Sequence, residues 1–349
     1  MGAVTVSSPP GTRPASRWVI SRGVDLTLVS GSALAGYLYL ALHTIFQAPI
    51  GYLWWFWSVG FDGTHIFATA SRTYFDREAR AAQRRLLFGS LAVFFSIGPV
   101  MVLAGQKGLL ALLVGTWAYY HVMRQHHGFL MLYKVKNGDL AAADNRLDGR
   151  FLFVMLAAPP VHRFLIHHPE ELGLPPGIAL ARVAPPVEPL LWCLVAWALA
   201  AFARRQLERY RAGESLNIPK LLLMAGVIPL HWLTFAFMSW RAAVPTITIV
   251  HNLQYHALVW FHNRNKYGDG ANAERFGRIP RAVSMSLLSY AVLALVFSAL
   301  YRIPGYELGR VSDLAFGFFC GFGLTHYYLD SKIWRVRGDG ELRRALRLA

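Results

Sequence analysis

Residues 86–120 read LLFGSLAVFFSIGPVMVLAGQKGLLALLVGTWAYY and contain a single charged side chain, Lys107. The lysine separates a run of 21 residues, about the length that an α-helix needs to cross the hydrocarbon core of a bilayer, from a second apolar run that continues beyond residue 120. A soluble fold of this size would carry shorter apolar runs and more charge. This stretch therefore predicts two successive membrane-spanning helices.

The same pattern continues along the chain, which has 349 residues, 55% of them hydrophobic and only 15% charged. Soluble domains carry roughly 25% charged residues. We therefore predict an all-α, polytopic integral membrane helix bundle with about ten transmembrane helices. The predicted spans cover about 24–43, 50–70, 86–105, 108–132, 150–166, 187–203, 219–240, 243–262, 282–301 and 312–333.

The distribution of positive charge predicts the orientation of the bundle. If the N-terminus is cytoplasmic, 28 of the 35 Lys and Arg residues fall in or at the edges of cytoplasmic segments. This asymmetry follows the positive-inside rule, so we expect both termini in the cytoplasm and the protein in the inner (plasma) membrane. The net charge of +16 then indicates attraction to anionic lipid headgroups. We exclude nucleic acid as a partner.

One membrane domain is expected between two polar tails. Residues 1–22 are rich in Ser, Pro and Gly and predict a disordered cytoplasmic tail with no removed signal peptide. Residues 23–334 form the transmembrane domain, and residues 335–349 form a basic cytoplasmic tail. Two cysteines, Cys193 and Cys320, lie inside apolar runs, which excludes a disulfide framework.

The second, fourth, eighth and tenth spans carry histidines at matching depths. Ionisable groups inside a membrane are costly and usually face the interior of the bundle. Four of these histidines lie six to eight residues before a cation at the cytoplasmic end of their span. That spacing places them roughly 9–12 Å from the cytoplasmic face. They are His65, His126, His256 and His326, and a deeper pair, His121 and His251, lies thirteen residues before the same cations.

Neutral imidazole is the commonest protein ligand for iron, copper and zinc. Histidines that share a depth therefore predict a metal site in the cytoplasmic half of the membrane. The predicted metal ligands are His65, His121, His126, His251, His256 and His326.

Two of the spans contain a His-x4-His pair, His121 with His126 and His251 with His256. Five residues turn an ideal α-helix by about 140°, so the two imidazoles of a pair do not share a face. Three arrangements remain open. A π-bulge brings the pair together, the two imidazoles reach different metals, or one ligates while the other supports it.

Two carboxylates and one cation accompany the histidines. Asp62 and Asp330 lie three and four residues from His65 and His326, which places each on the helix face of its histidine. They either ligate the metal or orient an imidazole. Arg124 lies within the fourth span and needs a partner, for which we expect Asp62 or Asp330. We assign catalytic roles to Asp62, Asp330 and Arg124.

Five of the remaining histidines receive no metal role, whereas the roles of His127 and His262 are left open. We interpret His43 and His231 as structural residues within spans, and we place His162, His167 and His168 at or beyond the outer interface, in contact with water.

The order of these motifs resembles the Brp/Blh family of membrane-embedded carotenoid-cleaving dioxygenases. Members carry histidines in an early, a middle, a late aromatic-rich and a last span. In the family these histidines hold a non-haem iron, and the substrate is a long polyene that is cleaved with dioxygen. The resemblance covers roughly residues 55–335 through short motifs, and Asp62 precedes His65 where the family has His first. The matching positions are His65, His121, His251 with His256, and His326 with Asp330.

The residues also resemble, more loosely, the histidine boxes of membrane di-iron desaturases and hydroxylases, although the three-box pattern is incomplete. We therefore predict a non-haem iron oxygenase that holds one or two irons and uses dioxygen as co-substrate. Its substrate would be an isoprenoid, carotenoid or acyl chain, altered by cleavage, hydroxylation or desaturation. Hydroxylation or desaturation would also need an external electron donor or redox partner.

Three other functions remain open from the sequence. Intramembrane histidines serve proton or metal relays in transporters, paired histidines bind haem for electron transfer, and zinc supports hydrolysis within a membrane. Aromatic residues flank the histidines and are candidates for a substrate channel, although packing is the role we favour for most. They are Trp117, Tyr119, Tyr120, Tyr255, Trp260, Tyr327 and Tyr328.

Overall fold

The computed structural model describes residues 16–172, 180–268 and 273–348, and every regular element in these ranges is a helix. The all-α prediction is therefore confirmed. Ten long helical segments overlap the ten predicted spans. Their bounds are Arg22–Thr44 (α1), Ile50–Trp57 continued through Ser58–Asp62 and Gly63–Arg72 (together α2), Arg84–Leu103 (α3), Lys107–Lys136 (α4), Ala142–His167 (α5), Leu180–Arg211 (α6), Ile218–Phe237 (α7), Trp240–Tyr267 (α8), Leu287–Val311 (α9) and Asp313–Ile333 (α10).

Six of these helices, within the described ranges, are long and apolar enough to cross a membrane: α1, α3, α5, α6, α7 and α9. This composition is that of a helical membrane protein. The other four are the helices that carry the predicted metal ligands, which make them more polar. Much of α8 and every residue of Gly63–Arg72 in α2 are buried, so their polar side chains contact other helices. The expectation that all ten cross the bilayer remains a prediction.

Helix α10 packs closely against α3. Gly98 of α3 faces Gly317 of α10, and a Cβ atom on Gly98 would lie 1.9 Å from the carbonyl oxygen of Gly317. Only glycine permits this approach, and small residues of this kind are typical of contacts between membrane helices. The contact holds α10 in position nine residues before His326.

A buried ion-pair network joins the C-terminal end of α4 to α5, α6 and α7. Asp139 lies 3.2 Å from Lys134, 3.1 Å from Lys220 and 3.0 Å from Arg209. Asp148 pairs with both lysines, and both lysine side chains are fully buried. These two lysines therefore neutralise carboxylates inside the protein, where the sequence had led us to expect contacts with lipid headgroups.

The described parts of both tails pack on the bundle. The Asp25 carboxylate of α1 accepts hydrogen bonds from the backbone N–H groups of Val19 (2.7 Å) and Ile20 (3.1 Å). Beyond α10, a short helix at Gly340–Ala345 buries Leu342, and Leu346 follows it into the same core. Residues 1–15 of the predicted N-terminal tail lie outside the described residues.

Candidate metal centre

Four helices bring four imidazoles to one point. His65 of α2, His121 of α4, His251 of α8 and His326 of α10 are all buried, and one ring nitrogen of each lies within 4.8 Å of the others. The Nε2 atom of His65 is 2.7 Å from Nε2 of His326 and 3.0 Å from Nε2 of His251. The nitrogens therefore converge on a small volume in the interior of the bundle.

The backbone of α2 changes form just before His65. Residues Ser58–Asp62 form a π-helical turn, which is frequent at functional sites. Ser298 of α9 donates a hydrogen bond to the carbonyl oxygen of Val59 in this turn (2.6 Å). Gly63 follows, and a Cβ atom there would lie 1.9 Å from the Ser298 hydroxyl oxygen. The turn and the glycine together seat α2 against α9 and set the position of His65.

The four nitrogens fit a metal ion better than they fit one another. Metal–imidazole bonds of about 2.0–2.1 Å place neighbouring ligand nitrogens roughly 3 Å apart. The Nε2 contacts of His65 with His326 and His251 have this separation. Nε2 of His121 is buried and has no hydrogen-bond partner among the described residues, which is costly unless it binds something. An all-imidazole set suits iron, copper, nickel or zinc.

Asp330 lies against this group, with its Oδ2 atom 3.9 Å from Nε2 of His121. Its carboxylate accepts hydrogen bonds from the hydroxyls of Thr69 and Tyr255, each 2.8 Å long. Thr69 in turn lies 2.7 Å from Nδ1 of His326. Because the Thr69 proton points at Asp330, Nδ1 of His326 donates to Thr69 and leaves Nε2 free to ligate. Such outer partners fix the tautomer and orientation of ligating histidines.

Sequence reasoning missed Thr69 and Tyr255 as partners of Asp330. Thr69 lies four residues after His65 and therefore on the same face of α2, which is a signal that was available. Tyr255 lies four residues after His251 in α8 and was considered only as a channel residue.

The second histidine of each His-x4-His pair lies outside the four-histidine group. His256 is 3.0 Å from the Thr64 hydroxyl through Nε2 and 2.8 Å from the Tyr290 hydroxyl through Nδ1. His126 lies beside His231 of α7, with ring centroids 5.7 Å apart. Both pairs stand on regular α-helix, so the rotation of about 140° per five residues separates their imidazoles.

The expected ion pair of Arg124 is not formed, since Asp62 pairs with Arg302 of α9. Helix α9 extends to Val311, ten residues beyond the predicted end of its span, so Arg302 lies inside the bundle rather than in an outer loop. The Arg124 guanidinium lies 6.0 Å from the ring centroid of Phe153. Asp62 and Arg124 therefore both stand apart from the four imidazoles.

An apolar cavity of about 190 Å³ borders the group. It lies between α2, α3, α9 and α10, and His326 and Thr69 form part of its wall. Its aromatic lining differs from the aromatic residues that the sequence suggested. Tyr119, for example, donates a hydrogen bond to the Leu156 carbonyl (2.5 Å) elsewhere in the bundle. The cavity is lined mainly by Ile66, Phe75, Leu91, Phe95, Phe297 and Phe322.

Comparison with known proteins finds no relative: no protein-family model, curated protein or solved structure matches the chain. The resemblance to the Brp/Blh family therefore rests on its motif residues alone. Function has to be argued from the chemistry of the site.

Proposed function

We propose that the protein is a membrane-embedded non-haem iron oxygenase that acts with dioxygen on a lipid-soluble substrate. The observation that carries this proposal is the convergence of His65, His121, His251 and His326 beside an apolar cavity. The imidazoles supply the ligands, and the cavity supplies a place for a hydrocarbon chain next to one of them.

The lining of the cavity favours oxidation over hydrolysis. A hydrolysable substrate presents a carbonyl or phosphoryl group, which needs polar donors close by. Here the wall is almost entirely aliphatic and aromatic, and it suits a chain whose reactive groups are C–H or C=C bonds. Attack on such bonds requires a redox-active centre, and iron is the candidate that imidazole ligands and the family resemblance both support. Iron held there would supply the binding and activation of dioxygen.

The described residues have separate tasks in this scheme. The four histidines ligate as neutral imidazoles through the nitrogens that face one another. Thr69 and Asp330 hold the Nδ1 proton of His326 and so keep its Nε2 available. Phe95, Phe297 and other rings of the cavity hold the substrate and exclude water.

One ion per chain fits the four nitrogens, and this favours oxidative cleavage among the three candidate reactions. Cleavage of a C=C bond by dioxygen places one oxygen atom on each of two carbonyl products, so the electrons balance without an external donor. Hydroxylation and desaturation need a donor, and the related di-iron enzymes use two metals. We therefore propose cleavage of a polyene, such as an isoprenoid or carotenoid, with no redox partner.

The proposed orientation of the protein in the membrane follows from the distribution of its Lys and Arg residues. We propose ten spans with both termini in the cytoplasm, in the inner (plasma) membrane, because the cations are concentrated at alternate ends of successive helices. In that orientation the C-terminal ends of α2, α4, α8 and α10 face the cytoplasm, and the metal centre lies in the cytoplasmic half.

The geometry of the four histidines is poorly suited to haem binding. A porphyrin must lie between two axial imidazoles, whereas the rings of His65 and His326 have centroids only 4.4 Å apart and a direct contact between their nitrogens. The proton or metal relay has one supporting observation, the chain of contacts from His251 through His65 and His326 to Thr69 and Asp330. It therefore stays as the second candidate.

The test is a metal and activity measurement on one anaerobic, iron-supplied preparation in detergent. We expect elemental mass spectrometry to give about one iron for each four-histidine group, with no Soret band in the absorption spectrum. β-Carotene serves as the probe polyene, and we expect oxygen uptake and aldehyde products without added reductant. Zinc alone would favour a hydrolase, and a Soret band would favour haem. A protein without bound metal would leave the proton or metal relay as the preferred function.

A further inference from the structure

A second group of potential metal ligands lies away from the four-histidine centre. Nε2 of His167 is 3.1 Å from Nε2 of His162, and Oε1 of Glu188 lies 3.2 Å from His162 and 3.3 Å from His167. We call these three residues the outer triad. Their ligand atoms form a nearly equilateral triangle whose sides match the roughly 3 Å separation of ligands around one metal ion.

The backbone explains why two histidines five residues apart can meet here. Residues Val161–His167 form a π-helical turn at the end of α5. A π-helix bonds residue i to residue i+5, so side chains five apart share a face. Pro159 and Pro160 directly precede the turn and lack the N–H donors of a regular α-helical ladder. The carboxylate comes from a different element, since Glu188 lies on α6.

The side chains of the outer triad are partly exposed at the surface of the protein. His162, His167 and Glu188 have 31%, 47% and 36% of their side chains exposed. The nearby acid Glu171 is engaged by Arg163 at 2.5 Å. Helix α5 begins at the end of the bundle where α4 finishes, and the triad lies at the far end of α5. The triad is therefore at the opposite end of α5 from the C-terminal end of α4.

The geometry points to a second metal site in this protein: we propose that His162, His167 and Glu188 bind a divalent transition-metal ion of the zinc class. Two imidazoles and one carboxylate are the protein ligands of many zinc sites, with a further position left to water. Such an ion joins α5 to α6 on either side of the connection between them. The proposal uses none of the residues of the proposed oxygenase centre and stands independently of it.

Without a metal, the same three side chains would form an ordinary hydrogen-bonded contact between a carboxylate and two imidazoles. The two cases differ in what zinc does. A simple contact takes up no ion, whereas a ligand set binds one zinc, and the protein is then stabilised against unfolding by an amount that rises with the logarithm of the free zinc concentration above Kd.

The experiment titrates Zn²⁺ into the full-length, iron-loaded protein in detergent by calorimetry and records the thermal midpoint at each point. Four proteins are compared: the wild type, His167→Ala, Glu188→Gln and the control His168→Ala, whose imidazole contacts Glu170 instead. The four-histidine centre is the same in all four, so differences report the outer triad. Glu188→Gln preserves size and a hydrogen-bond acceptor, which guards against a folding defect in the alanine variant.

We expect the wild type and His168→Ala to bind one more zinc than the other two, or to bind it about tenfold or more tightly. Their thermal midpoints should rise with zinc while those of His167→Ala and Glu188→Gln stay constant. Equal zinc uptake by all four proteins, or no uptake by the wild type, would overturn the second site. Either result leaves the iron content of the bundle centre to be judged separately.

Discussion

The four-histidine centre and the outer triad use the same sequence spacing with different backbones. In α4 and α8 a His-x4-His pair lies on regular α-helix, and only His121 and His251 belong to the four-histidine group. At the end of α5 the pair His162 and His167 stands on a π-helical turn, and both imidazoles meet. The number of ligands that a His-x4-His motif delivers is therefore decided by the local hydrogen-bond pattern of its helix.

The two groups also differ in what assembles them. The central group draws one residue from each of four helices and is buried, so it exists only when the bundle has packed. The outer triad draws two residues from one turn and a third from the neighbouring helix, and it remains exposed. We expect the first to be more selective for its metal and the second to exchange metal with solvent.

The largest effect is expected from His65→Ala. Nε2 of His65 lies nearest to two of the other ligand atoms, so its loss should lower iron affinity by more than the roughly 10–100-fold that the loss of an outer partner costs. Iron per chain after desalting is the measurement. The matched control is His256→Ala, which should keep its iron. Equal loss in both variants would contradict the division of the His-x4-His pair in α8.

Asp330→Asn should have the next largest effect. The amide no longer holds the Thr69 hydroxyl as a carboxylate does, so the orientation of His326 weakens and iron affinity falls by about 10–100-fold. Competition with a chelator measures this change. Asp313→Asn, at an exposed ion pair with Lys107, is the control. An unchanged affinity in Asp330→Asn would mean that the carboxylate does not support the centre.

Ala70→Phe tests the cavity rather than the ligands. Ala70 lines the cavity and is buried, so a phenyl ring there occupies space proposed for substrate at a stability cost of about 1–3 kcal/mol. We expect several-fold slower turnover of β-carotene with normal iron content. Leu91→Met, a substitution of similar volume in the same wall, should behave as wild type. Unaltered turnover in Ala70→Phe would place the substrate elsewhere.

The smallest effect is expected when the outer triad is removed. His162→Ala should leave both iron content and β-carotene turnover unchanged, because the two groups share no residue and sites without shared partners contribute independently. Parallel assays on wild type and variant measure this. A clear loss of iron in His162→Ala would show that the two groups are coupled and would contradict their treatment as independent sites.

Helix positions were predictable because the length and apolar content of a helix are local properties of the sequence. The span expected at 108–132 is the core of Lys107–Lys136, and the span at 312–333 is almost the same as Asp313–Ile333. The error at α9, which continues from 301 to Val311, arose because Arg302 was read as the start of a loop. A partly buried partner, Asp62, pairs with that cation.

The sequence did not show which four of the six predicted ligands would meet in one group. Depth was judged from cations taken to mark the membrane surface, and this favoured His126 and His256 as the companions of His65. One of those cations, Lys134, is fully buried with Asp148 and marks no surface. The structure uses the deeper histidines, His121 and His251, because helix rotation and packing decide which imidazoles converge.

The outer triad depends on information that the histidine pattern lacks. Glu188 is contributed by another helix, twenty-one residues after His167. The only local signal was the pair Pro159 and Pro160, which interrupts the α-helical ladder before the two histidines. In this chain the proline pair directly precedes the one His-x4-His pair, within the described residues, that lies on a π-helical turn.

X-ray absorption spectroscopy of the iron-loaded protein tests the central claim most directly. Iron bound as we propose should be coordinated by four imidazole nitrogens, one from each of His65, His121, His251 and His326, with the outer scattering typical of imidazole rings. His121→Ala should reduce that imidazole contribution, and His126→Ala should leave it unchanged. Iron without imidazole scattering, or a protein that retains no iron, would contradict the account.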